Sequence, residues 1–169
     1  MDKQFTPFEY ISSEYRFDKP YQANETLCVN FKGIIDRIDR VGDTHRVIDY
    51  KTGTGATHFK DIEQLFDASK NNRPHQILQV FIYALFYQFD NKDFHISPAI
   101  YYLRSIFKDF NPSVSCQKNK IDDIGVYLPD LEEKFKSLLA EIFDPNVPFS
   151  QTENEKNCEW CAFKEVCGR

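Results

Sequence analysis

The 169-residue sequence has no apolar run approaching the roughly 18–20 residues that a membrane-spanning helix needs. Nor does it open on a basic, apolar leader, so neither a membrane span nor a secretory signal is expected. It also lacks the even, spaced set of cysteines of a secreted disulfide framework. There are five, and three are crowded at the C-terminal end. The chain is therefore read as cytoplasmic, with no membrane partner. Positive charge is in short supply: 21 Lys and Arg stand against 26 Asp and Glu, a formal net charge of −5. That argues against a protein that coats nucleic acid non-specifically but says little about a local cleft. There are no internal repeats and no low-complexity tract. The Thr52–Phe59 stretch, TGTGATHF, lacks the Gly-Lys-Ser/Thr ending of a phosphate loop, and no helix follows it at once.

What is present fits one globular domain with a sizeable core. Hydrophobic residues make up 41% of the chain, and its 16 Phe and 9 Tyr predict a core built from large rings. The most informative stretch is Gly33–Gly53, GIIDRIDRVGDTHRVIDYKTG. Ile34, Ile35 and Ile38 on one arm and Val47 and Ile48 on the other are strand formers. Val41-Gly42-Asp43-Thr44 between them supplies the turn. With Val41 opposite Thr44, Asp36 falls directly opposite Asp49.

Like charges at cross-strand spacing destabilise a sheet unless they share a proton or a cation. Lys51 lies two residues beyond Asp49 and so shares its face. Two carboxylates and an ammonium then converge, and the hard oxygen ligands suit Mg²⁺ or Mn²⁺ better than zinc. The plainer alternative is a solvated hairpin with incidental charges, because a one-residue slip in register would part the two acids.

Upstream, Glu14–Phe17 reads as a short strand, Asp18–Asn24 as a turn holding Pro20, and Glu25–Ile38 as a long strand, together an antiparallel meander. Downstream, Lys60–Ser69 reads as a short helix and Lys70–Arg73 as a polar break. A helix then runs from Pro74 to about Gln88. Apolar residues cover most of its circumference, which predicts burial, apart from a stripe of Gln76, Gln79, Tyr83 and Tyr87. Gln79 and Tyr83 point the same way. Their partners are either neighbouring backbone or a metal or nucleic-acid cleft. Ile96–Leu103 reads as a strand beside the hairpin, Ile106–Ile124 as irregular, and Pro129–Phe143 as an amphipathic helix. In the last, Leu131, Phe135, Leu138, Leu139 and Ile142 share one side. Asp144–Lys156 reads as a linker.

The tail places Cys158, Cys161 and Cys167 in a C-x2-C-x5-C spacing. Three thiols so close, in a chain without a disulfide framework, suggest iron–sulfur or zinc, with free thiols as the alternative. Cys116 or Cys28 could supply a fourth ligand, although Cys28 falls in a strand, where a buried apolar role is commoner.

These motifs together resemble the RecB/AddB-type branch of the PD-(D/E)XK nuclease superfamily: GIIDRID with Asp36, VIDYKTG with Asp49 and Lys51, Q-x3-Y from Gln79 to Tyr83, and the cysteine tail of its iron–sulfur version. The resemblance implies a mixed α/β, restriction-endonuclease-like fold, a twisted mixed sheet begun by a meander and flanked by helices. It implies residues 1–150 as the nuclease core, with 151–169 as an iron–sulfur tail packed on it. Asp36, Asp49 and the Tyr50 backbone carbonyl would hold Mg²⁺ or Mn²⁺. Asp36, Asp49 and Lys51 would be catalytic, and Gln79 and Tyr83 would line the cleft and contact DNA. Cys158, Cys161 and Cys167 would be three of four [4Fe–4S] ligands, the fourth lying outside this chain.

The implied activity is that of a metal-dependent DNA exonuclease working with a helicase in double-strand-break repair. A non-catalytic DNA-binding or scaffolding module is the alternative, and a small zinc-stabilised interaction domain is a third reading. No His precedes His45 and no Cys precedes Cys28, whereas the family places a helix with a further metal-site residue and its first cluster cysteine before the meander. Glu14 is a poor substitute. The resemblance therefore also implies a C-terminal piece of a longer protein, with a frail cluster and weak activity in isolation.

Overall fold

The structure, a computed structural model, describes residues 2–70, 73–105, 107–108 and 111–169. Its strands are β1 (Glu9–Gln22), β2 (Cys28–Val41), β3 (Thr44–Lys51), β4 (His58–Phe59), β5 (His95–Tyr102), β6 (Ser115–Cys116) and β7 (Asn119–Lys120). Its α-helices are α1 (Ile62–Phe66), α2 (His75–Gln88) and α3 (Leu128–Phe143). The main sheet has the order β1-β2-β3-β5, antiparallel until β5 pairs parallel to β3. A second, small sheet has the order β4-β6-β7. This is the mixed α+β architecture expected, with a mixed sheet flanked by helices, and it is consistent with a restriction-endonuclease-like fold.

The meander follows from its turns. Gly42 takes φ +59° in the two-residue turn, a conformation that glycine adopts without steric cost, and Val41 pairs with Thr44 as anticipated. The earlier turn is closed by Asn24, whose Oδ1 accepts from the Thr26 and Leu27 amides at 3.0 and 2.9 Å. The first strand is far longer than Glu14–Phe17, and Pro20 lies within it rather than in a turn. β1 is the edge of the sheet, where a missing N–H is tolerated. The short helix after the hairpin shrinks to Ile62–Phe66, and Asp61 caps it by accepting from the Gln64 amide. Asn71 and Asn72 of the polar break and Ile106, Asp109 and Phe110 of the irregular stretch lie outside the described residues.

The core lies between the sheet and α2, with α1 and α3 closing its flanks. It is ring-rich, as the composition foretold. Phe17 stacks on Phe86 at 5.0 Å, and Tyr21, Phe31 and Phe135 meet beside them at 5.1–6.1 Å between centroids. α2 buries Ile77, Val80, Phe81, Ala84, Leu85, Phe86 and Tyr87. β5 is buried at every position after His95, as a strand covered on both faces should be. α3 turns Leu131, Phe135 and Leu139 inward, while Leu138 and Ile142 remain exposed.

The reverse face of the sheet carries an ion network that sequence reading did not anticipate. Asp39, fully buried, accepts from Arg46 Nε at 2.6 Å and Nη2 at 2.7 Å, and Arg37 Nη2 lies 2.5 Å from it. The N-terminal segment covers these charges. Phe5 lies over the Arg46 guanidinium at 4.0 Å, and Phe8 over Arg37 at 4.8 Å.

Candidate active site at the end of the hairpin

Along β3 the side chains alternate strictly. Arg46 and Ile48 face the reverse side, while Val47, Asp49 and Lys51 face α2. The strand period therefore brings Asp49 and Lys51 together, and Lys51 Nζ lies 2.7 Å from Asp49 Oδ2.

β2 does not alternate strictly. Ile35 and Ile38 are three residues apart, yet both are fully buried in the same core. The break falls at Asp36. The β2–β3 ladder keeps the expected register but ends at Arg37 opposite Ile48, one step short of an Asp36–Asp49 pair. Beyond it, the Tyr50 amide donates to Asp36 Oδ2 at 2.7 Å. The carboxylate thus caps the end of the ladder, within reach for its charge to raise the proton affinity of Asp49.

Asp49 is buried, with only 4% of its side chain exposed. Its carboxyl is pushed above the ordinary range, first by burial and also by the negative charge of Asp36, with Lys51 opposing. Its Oδ2 has no partner with hydrogen-bond angles, despite the nearby Lys51 ammonium. A buried, under-satisfied carboxylate oxygen next to a second carboxylate is where a hard cation fits. Among the described residues no three His, Cys, Asp or Glu side chains converge. An ion here would be held by Asp36, Asp49, a backbone carbonyl and water or substrate, the sparse protein set that suits Mg²⁺. Glu14 is exposed on β1 at φ +48° and adds no third carboxylate.

The α2 stripe joins the same site. Gln79 Oε1 accepts from Lys51 Nζ at 2.8 Å, and Gln79 Nε2 donates to the Tyr83 hydroxyl oxygen at 2.9 Å. Asp49, Lys51, Gln79 and Tyr83 form one continuous polar chain from β3 to α2. Tyr87, from the same stripe, diverges to hydrogen-bond His45 Nδ1 at 2.9 Å.

Tyr102 escaped sequence reasoning. It pairs with Lys51 across the parallel ladder, and its phenol is pushed up by burial and by Asp49. Its hydroxyl donates to the Ala56 carbonyl at 3.3 Å, which holds the loop after Lys51 against the site. Gly55 permits that approach, since a Cβ there would lie 2.2 Å from the Tyr102 hydroxyl oxygen. The available signal was its position at the end of a strand adjoining β3.

The tail does not assemble a cluster. Cys158 is half-buried, Cys161 and Cys167 are exposed, and no metal-binding group of three forms among the described residues. Cys28 is exposed rather than buried in its strand, and Cys116 donates its thiol to the Lys60 carbonyl at 3.3 Å. The thiols present do not fit a four-thiolate cluster within this chain.

A model of the PD-(D/E)XK nuclease superfamily matches residues 1–168, and the chain belongs to that superfamily. Membership implies a nuclease that hydrolyses phosphodiester bonds, with DNA as substrate, in a superfamily that generally uses divalent metal ions. No curated protein and no solved structure matches the chain. No helix of the described residues is long and apolar enough to cross a membrane.

A buried carboxylate with a raised proton affinity has a consequence for stability. Its charged form costs stability that the unfolded chain does not lose. That cost appears as pH rises through the ordinary Asp range near ~3.9 and is complete above the folded value. Asp49→Asn is therefore expected to melt a few degrees higher than the parent at pH 7 without divalent ions, and the two should converge at low pH. Equal or lower melting at pH 7, followed by scanning calorimetry, would show that Asp49 is fully satisfied without a cation.

Proposed function

We propose that this chain is a metal-dependent DNA exonuclease module of RecB/AddB type, acting with a helicase during double-strand-break repair in the cytoplasm. Asp36, Asp49 and Lys51 are its catalytic residues, and Gln79 and Tyr83 are its cleft residues. The observation that carries this reading is the polar chain Asp49–Lys51–Gln79–Tyr83 beside Asp36. A structural hairpin has no need of a lysine held between a buried aspartate and a helix glutamine.

Asp36, Asp49 and the Tyr50 carbonyl would hold Mg²⁺ or Mn²⁺, which when bound supplies Lewis-acid polarisation of a phosphate oxygen and a more acidic water. Lys51 is oriented by Asp49 and by Gln79 Oε1, and presents its remaining N–H donor where charge develops on the scissile phosphate. Gln79 accepts from Lys51, so its amide nitrogen is the end that faces Tyr83. Tyr83 accepts there and keeps its own proton for a phosphate in the cleft.

Residues 1–150 are proposed as the nuclease core and 151–169 as an appended cysteine-rich tail. That Cys158, Cys161 and Cys167 are three ligands of a [4Fe–4S] cluster, completed from outside this chain, rests on their spacing alone. Iron and acid-labile sulfide analysis tests it. The nuclease reading is tested by comparing Lys51→Ala and Asp49→Ala with the parent for both cleavage and DNA binding. An enzyme loses cleavage and keeps binding, whereas a non-catalytic DNA-binding module loses neither.

A further inference from the structure

The candidate site and the ion network on the reverse face of the sheet meet at one side chain. Tyr50 lies between Asp49 and Lys51, so the strand period turns it away from α2. Its hydroxyl oxygen accepts from Arg37 Nη1 at 3.2 Å, and its ring adjoins Tyr101 with centroids 5.6 Å apart. Arg37 is itself held in place. Its Nη2 lies 2.5 Å from the fully buried Asp39, and the Phe8 ring covers the guanidinium at 4.8 Å.

Two consecutive residues of each strand are therefore coupled. Asp36 and Arg37 follow one another on β2, as Asp49 and Tyr50 do on β3. Asp36 acts on Asp49 through its charge, while Arg37 takes hold of the Tyr50 phenol by a hydrogen bond.

The Tyr50 peptide needs that support. The β2–β3 ladder stops at Arg37 opposite Ile48, two residues short of Tyr50. On that side the Tyr50 amide is held by the Asp36 carboxylate at 2.7 Å. A rotatable side chain fixes a peptide less firmly than a paired strand does. The phenol supplies a second point of attachment, on the opposite face. Tyr50 is 36% exposed, so core packing alone does not account for its being held between a guanidinium and a ring.

We propose that Arg37 is a positioning residue for the cation site. Anchored by Asp39 and acting through the Tyr50 phenol, it sets the peptide whose amide orients Asp36 and whose carbonyl the cation would use. The cation's role is taken from the nuclease reading, on which this rests; the positioning is a property of the metal-free chain. Groups that orient the ligands of a metal without touching it govern its affinity. Arginine suits the task better than lysine, because one planar fork reaches Asp39 with one nitrogen and Tyr50 with the other.

The test is titration calorimetry with Mn²⁺, beside amide hydrogen exchange at residue 50 in EDTA. The key variant is Tyr50→Phe. It removes one oxygen from a partly exposed side chain and keeps the ring beside Tyr101, so it should melt close to the parent. Its Mn²⁺ affinity should fall by about 3–10-fold, below the roughly 10–100-fold typical of a group that bonds a metal ligand directly. Exchange at residue 50 should quicken more than at the other β3 amides. Arg37→Lys keeps the charge but cannot span Asp39 and Tyr50 at once, so it should match Tyr50→Phe, and combining the two should add little. Arg40→Ala removes an exposed guanidinium from the same strand and should match the parent in both measurements.

Parent-like exchange at residue 50 in Tyr50→Phe overturns the positioning. Faster exchange with unchanged Mn²⁺ affinity, or a parent that binds no Mn²⁺, overturns its link to the cation site. Effects of Tyr50→Phe and Arg37→Lys that add in full overturn the path through the phenol. Cleavage by Lys51→Ala, measured on the same preparations, reports separately on the nuclease reading.

Discussion

Lys51→Ala is expected to lower the rate of DNA cleavage by about 10²–10³-fold while changing DNA affinity by no more than a few-fold. The estimate is that for removing one preorganised donor from a site where transition-state charge develops. Two losses contribute. The ammonium no longer faces the phosphate, and Asp49, buried with its Oδ2 under-satisfied, loses the cation that opposes its raised proton affinity. The second loss leaves the carboxylates more attractive to any cation, so weaker ion binding is not the cause and the defect should persist at saturating Mn²⁺. Gln79 Oε1 loses its donor, but the fold should survive because Lys51 is at the end of β3. A Lys51→Ala protein with cleavage within a few-fold of the parent would remove the lysine from the mechanism.

Asp39→Ala is expected to cost about 3–5 kcal/mol of folding stability, the range for removing one partner from a buried ion pair. Asp39 answers two guanidinium groups, and Arg46 is itself only 5% exposed. Alanine would leave Arg46 beneath the Phe5 ring with neither water nor a counter-charge. Against a total stability of about 5–15 kcal/mol, such a loss brings the domain near unfolding. Arg40→Ala, which breaks an exposed pair with Glu9, should cost less than about 1 kcal/mol and serves as the comparison. Urea denaturation of the two variants distinguishes them. Equal, small losses would mean that water reaches the Asp39 network.

The hairpin was legible because one turn sets its register: once Val41 faces Thr44, every partner follows. That same register places Asp39 opposite Arg46, so half of the reverse-face network was within reach of the sequence. Its covering by Phe5 and Phe8 was not, since the N-terminal residues have no periodicity to show which face they meet. Gln79 and Tyr83 stood out as polar residues on an otherwise buried helix, but only the fold reveals that Lys51 reaches across to them.

β1 was read too short because Pro20 signals a turn unless the strand is known to be an edge. The break in alternation between Ile35 and Ile38 was equally hidden. A pure period-two reading turns Asp36 towards Asp49 but misses its capping of the Tyr50 amide. Tyr102 and Gly55 depend on contacts between segments remote in sequence. No local pattern encodes them.

The central claim is that Asp36 and Asp49 form one cation site, and titration calorimetry with Mn²⁺, run on the parent chain and on Asp36→Ala, tests it most directly. The account predicts saturable binding by the parent, lost or weakened at least tenfold in the variant while its melting temperature stays close to the parent's. Indistinguishable binding by the two proteins, or none by the parent, would contradict it.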